Sequence, residues 1–222
     1  MPQPSMVAVD FTSDATVRDV CSYREASVYP KLIGQIIAQN SLLTDAHANK
    51  AEADAACAQA GVAYITGVGH GASDSFPDPQ VNGTPIWSIT INGYDPNLIK
   101  GKIIHLVSCD TAESLGRALA DPNGGGAAAF FGYSGGFTWP TGPDQSYANI
   151  IFDCDAAIDL ALAAGKTAGE AFAAAYQAYT DAYNNLVAAG AMNVAAIVKM
   201  DRDILRGPSV DNEYGSSSAR LA

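Results

Sequence analysis

Lys102-Ile-Ile-His-Leu-Val-Ser108 sets the fold class. Four apolar residues surround one histidine in a run too short for a helix, without the alternation of a half-exposed strand. Such a run is a strand covered on both faces. Cys109-Asp-Thr111 follows and opens a helix-like stretch, Thr111–Ala120, with Asp110 and Glu113 three residues apart as in a capping box. Pro122 and Gly124-Gly-Gly126 end that helix. Outward from it, Met6–Phe11, Val62-Ala-Tyr-Ile-Thr66 and Ala127–Tyr133 read as further strands, and Thr84–Ile91 as one between two Asn-Gly turns. Asn49–Ala60, with Asn49 as N-cap, reads as a helix, as do Tyr147–Ala164 and Thr167–Ala189. Pro30–Asn40 fits helix or strand. Strands alternating with helices predict an α/β fold: a mostly parallel sheet covered by helices on both faces. Its ligand site belongs at the carboxyl ends of the strands.

The 222 residues suit a single α/β domain over 1–206, with 207–222 a polar, flexible tail. Hydrophobic residues make up 48% and charged residues 16%, which excludes a disordered chain. The net charge is −11, with no Lys/Arg cluster, so neither nucleic acid nor an anionic membrane surface is an expected partner. Cationic ligands are favoured instead. Asp159 and Lys166 interrupt the apolar tract from Ala156 to Ala175, so no run has the roughly 18 apolar residues of a membrane span. The first ten residues lack the basic and apolar regions of a secretory signal, which leaves a cytoplasmic protein or a trimmed secreted domain. Cys21, Cys57, Cys109 and Cys154 form no C-x-x-C pair, so a zinc ribbon is excluded while one or two disulfides stay open.

Three motifs compete for the chemistry. Gly67-Val-Gly-His-Gly-Ala72 matches the dinucleotide fingerprint, but Ser73-Asp-Ser-Phe-Pro77 cannot open the helix that mechanism needs. Gly132-Tyr-Ser-Gly-Gly136 resembles a serine-hydrolase elbow, yet His47, His70 and His105 all precede Ser134, the wrong chain order. His70-Gly71 with Cys109 is the third. A cysteine between a strand and a helix N-terminus has its thiol pKa depressed by the helix dipole. A histidine on the neighbouring strand end supplies a proton to a leaving amine, and the Gly71 and Cys109 amides form an oxyanion hole. His105, in mid-strand, reads as a packed core residue and His47 as a solvated one. Asp153, Asp155 and Asp159 could hold calcium; without EF-hand spacing or a loop glycine they read as a solvated helix face, and no cofactor is expected. Trp87 and Trp139 fit core or pocket wall equally.

Tyr64-Ile-Thr-Gly-Val-Gly-His70-Gly71 and Ile103-Ile-His-Leu-Val-Ser-Cys109-Asp-Thr resemble the apolar-block-His-Gly and apolar-block-Cys pattern of caspase-like (clan CD) cysteine peptidases. The gingipain, clostripain and CHAT-domain types are nearest. The resemblance covers roughly residues 60–185. It implies peptide-bond hydrolysis by Cys109, with His70 as general acid/base and Gly71 and Cys109 at the oxyanion. The caspase Gln-Ala-Cys-Arg-Gly context is absent, so cleavage after aspartate is not expected. Cleavage after Arg or Lys is, with Asp144 at the base of a pocket walled by Trp139 and Ser108 also touching substrate; Asp144 as a mere helix cap is the competing reading. A catalytically silent scaffold domain and a thiol acyl-transfer enzyme are the alternatives. The partner expected is a protein or peptide substrate; the oligomeric state stays open.

Overall fold

The computed structural model describes residues 3–77, 89–209 and 213–221. The strands are β1 (Ser5–Asp10), β2 (Gln39–Thr44), β3 (Val62–Val68), β4 (Ser75–Phe76), β5 (Ile89–Thr90), β6 (Ile103–Val107), β7 (Ala129–Tyr133) and β8 (Leu205–Arg206). The α-helices are α1 (Arg18–Ser27), α2 (Tyr29–Gln35), α3 (Lys50–Cys57), α4 (Pro96–Ile99), α5 (Leu115–Ala120), α6 (Ala148–Ala163), α7 (Ala168–Ala188) and α8 (Met192–Ile204). Six strands form one sheet in the order β2-β1-β3-β6-β7-β8, parallel except for β8, while β4 and β5 form a small antiparallel pair. Every residue of β6 and β7 is buried. Successive side chains of a strand face opposite sides, so both faces of the sheet are covered. The protein is therefore α/β, with a mostly parallel sheet flanked by helices. No helix among the described residues is long and apolar enough to cross a membrane.

Local chemistry accounts for most elements. Asn49 caps α3 by accepting from the Glu52 amide, and Thr167 with Glu170 closes a capping box on α7. Pro30–Asn40 divides: Pro30 stands in the first turn of α2, where its missing N–H costs nothing, and the chain turns into β2 after Ile37.

Two expectations change. The helix expected over Thr111–Ala120 begins only at Leu115. Asp110 has φ +58°, the Asp110 amide donates to Gly135 O, Ala112 to Tyr133 O, and Ser114 and Leu115 both to Ser73 O. The amides that would start a helix at Thr111 are held by other segments, and Asp110 caps nothing. The polar stretch 207–222, expected as a loose tail, is packed over 213–221. Phe130 N–H donates to Tyr214 O and Ser216 N–H to Ala128 O, while Tyr214 and Leu221 are buried. Two buried apolar side chains and an open β7 edge outweigh the serines. Of the expected Thr84–Ile91 strand, Ile89–Thr90 form β5, and residues 84–88, with Trp87, lie outside the described residues.

Candidate active site

Parallel pairing of β3 with β6 sets Val68 opposite Val107, so the chain leaves both strands at the same edge of the sheet. His70 and Gly71 leave β3 there, and Ser108 and Cys109 leave β6. His70, Ser108 and Cys109 line one cavity of about 400 Å3. Its other walls come from Ala15–Val17 and Asp19, after β1, and from Phe137–Trp139, after β7. β1 lies between β2 and β3, so strand order reverses there; a crevice outside such a switch point is where open parallel sheets bind ligands. Gly71 is required for this close approach. A Cβ on it would stand 2.2 Å from Cys109 O and 2.3 Å from Ser108 Oγ.

His70 is held by the loop after β1. Its Nε2 lies 2.8 Å from Thr16 Oγ1 and 3.0 Å from Asp14 Oδ2, and Thr16 is itself bonded to Asp14. The other ring nitrogen, Nδ1, is bonded to nothing among the described residues and is free to meet a ligand. Cys109 is a free, half-buried thiol whose Sγ lies 3.7 Å from Phe137 O. No hydrogen bond joins it to His70. The Gly71 and Cys109 amides are donated to no oxygen among the described residues. The expected depression of the thiol pKa is not found. Burial pushes the Cys109 thiol up, Asp110 and Asp201 add to the shift, and the main chain of Phe137 opposes it. α5 begins only at Leu115, so no helix N-terminus stands at Cys109 to offset that burial.

The remaining expected residues divide. Trp139 is both wall and core, lining the cavity and packing on Phe137 and Phe152 with ring centroids 5.8 and 5.5 Å apart. Ser108 lines the cavity but is 2% exposed, and its Oγ has no hydrogen-bond partner among the described residues. Asp144 is not in the cavity. It sits in the 3-10 turn Gly142–Tyr147 and faces a separate groove formed by 189–194 at the α7–α8 turn; it does not cap α6 either, whose N-cap Tyr147 has no side-chain bond. The carboxylate lining the Cys109 cavity is Asp19, which accepts from Gln145 Nε2 at 3.1 Å. Asp14, Thr16 and Asp19 escaped the sequence reading. The available signal was the turn-rich Thr12-Ser-Asp-Ala-Thr16 directly after a strand, which places polar side chains at the same sheet edge.

The rejected motifs stay inert. β3 runs into a turn and β4, so no helix opens after Gly67-Val-Gly-His-Gly-Ala72. Ser134 is spent on Ile204, its amide and hydroxyl both donating to that carbonyl. All four cysteines are free.

A second cluster of ionisable groups is closed to solvent. Arg24, on α1, is 1% exposed and donates to Asp155, Asp159 and Thr66 at 3.0 Å. His105 Nε2 lies 3.1 Å from Asp155 and Nδ1 3.3 Å from Asp159. Tyr64 and Tyr133 donate to the same two carboxylates. His105 is thus a core residue as expected, and His47 is exposed. The reading of Asp155 and Asp159 as a solvated face is corrected: both point into the core, and only Asp153 faces water. Although His105, Asp155 and Asp159 stand close enough to share a cation, the Arg24 guanidinium already occupies their oxygens.

Comparison with known protein families, with curated proteins and with solved structures finds no match.

Proposed function

We propose that the protein is a caspase-like cysteine endopeptidase of the gingipain, clostripain and CHAT-domain kind, cleaving peptide bonds through Cys109 and His70. The observation that carries the reading is the meeting of His70 and Cys109 at one cavity on the carboxyl edge of the sheet, with Gly71 packed closely against Ser108 and Cys109. In this reading His70 takes the Cys109 proton on Nδ1, the resulting thiolate attacks the scissile carbonyl, and the oxyanion is taken by the unengaged Gly71 and Cys109 amides. His70, steadied on Nε2 by Asp14 and Thr16, protonates the departing amine from Nδ1. Water then releases the acyl group. No cofactor enters these steps.

Specificity for Arg or Lys before the scissile bond is kept, but its acid changes. Asp19 is the one carboxylate among the described lining residues, and no Lys or Arg stands with it, so the cavity favours a cationic side chain. A silent binding domain is the second reading. It is favoured by the raised Cys109 pKa and by the lack of a His70–Cys109 hydrogen bond. A fluorogenic peptide library with varied residues before the cleaved bond decides between them. Cleavage after Arg or Lys that disappears in Cys109→Ala supports the peptidase; no cleavage of any peptide, with Cys109 alkylating no faster than Cys57, supports the silent domain.

A further inference from the structure

The peptide group between Phe137 and Thr138 makes two contacts of opposite sense. Its carbonyl, Phe137 O, faces Cys109 Sγ at 3.7 Å, and its N–H, on Thr138, donates to Asp201 Oδ1 at 3.3 Å. Asp201 belongs to α8 and is 0% exposed, and its Oδ2 has no partner among the described residues. A buried carboxyl with one oxygen unused costs stability and calls for an explanation. Carbonyl and N–H point in opposite directions within a trans peptide plane, so Asp201 and Cys109 grip the same rigid unit from either end.

We propose that Asp201 is a positioning residue for Cys109: across this one peptide group it holds the Phe137 carbonyl against the sulfur and couples its own charge to that of the thiol. The inference rests on Cys109 being the reactive thiol of the proposed function. The groups around Asp201 are Tyr179 from α7, Cys154 and Asp155 from α6, and Cys109 across the Thr138 amide. None is cationic. Burial raises the Asp201 carboxyl to about 8, the Thr138 N–H resists the shift and Asp155 adds to it. Below that pH Asp201 is neutral and leaves the thiol alone. Above it, its negative charge opposes the thiolate.

The test is the rate of iodoacetamide alkylation of Cys109, followed by peptide mass from pH 6 to 10, in wild type, Asp201→Asn and Asp201→Leu. Asparagine keeps the acceptor oxygen and loses the charge. Its rate should match wild type at pH 6.5 and exceed it by about 3- to 10-fold at pH 9, the size of a like-charge effect of half to one pK unit. Leucine also removes the acceptor, and its rate should depart from wild type already at pH 6.5. Cys57, remote from this contact, serves as the internal control and should be unaffected. If the Asp201→Asn and wild-type profiles superimpose, the proposal is overturned, whether or not the leucine variant folds. Alkylation does not require peptide cleavage, so the readouts separate the two claims. A Cys109 that responds to Asp201 but cleaves nothing overturns the peptidase alone; a Cys109 inert at every pH overturns both.

Discussion

His105 and His70 stand on or beside neighbouring strands, each about 3 Å from aspartate oxygens, and their surroundings assign them opposite roles. Around His105 each aspartate meets Arg24, and the site is closed to water. Burial alone would lower the His105 pKa, but Asp155 and Asp159 outweigh it and raise it to about 9, so the cluster balances two positive and two negative groups. His70 has only Asp14 and Thr16 behind it and opens on a cavity shared with Cys109. Proximity of histidine to carboxylate therefore does not mark a reactive site. What matters is whether a ring nitrogen is left for a ligand and whether a ligand can reach it.

The sharpest way to break the comparison is to remove one member from each region. Cys109→Ala should lower peptide cleavage by about ten-thousandfold or more while leaving the melting temperature nearly unchanged. Arg24→Met should do the reverse, costing about 3–5 kcal/mol in urea unfolding because two buried carboxylates lose their main cation. A Cys109→Ala protein that still cleaves, or an Arg24→Met protein as stable as wild type, would remove the distinction between the regions.

Proton linkage sharpens it further. Burial raises Asp10 from 3.8 to about 7, against the pull of Arg24, and raises Asp201 to about 8, while His105 rises from 6.5 to about 9. Each of these groups holds a proton in the fold that the unfolded chain gives up at lower pH, so stability falls as pH climbs from about 4 to about 9. Burial would raise Asp159 too, but Arg24 and His105 hold it well below the ordinary 3.8, so its contribution is lost as pH drops below that value. Urea midpoints should therefore peak at about pH 4–5 and decline on both sides. Midpoints that rise from pH 5 to 9 would contradict the closed cluster.

The smallest expected effects concern specificity. Asp19→Asn should reduce the preference for Arg or Lys over a neutral residue by about three- to tenfold in kcat/KM, a modest loss because Asp19 is solvent-exposed. Asp144→Asn should leave that preference within about twofold, since Asp144 faces another groove. The opposite ranking would return the specificity pocket to the loop after β7.

What the sequence determined by itself follows from local pattern. Apolar runs at 62–66, 102–108 and 127–133 marked the central strands, and the alternation with helices implied parallel pairing, which places His70 and Cys109 at one edge. The Asn49 cap was legible because a cap is a contact across three residues. The tertiary structure decided the rest. α1 and α8 lie outside the segments that the sequence pattern marked, and they bring the buried residues Arg24 and Asp201. Asp155 and Asp159 looked like a solvated face because their partner, Arg24, lies more than a hundred residues away in the chain. The late start of α5, which leaves no helix N-terminus at Cys109, depends on the carbonyls of Ser73, Tyr133 and Gly135 taking the amides a helix would have used. Periodicity reports which side of an element is buried; it carries no information on which distant group meets it there, and that is what distinguishes a closed ion cluster from an open site.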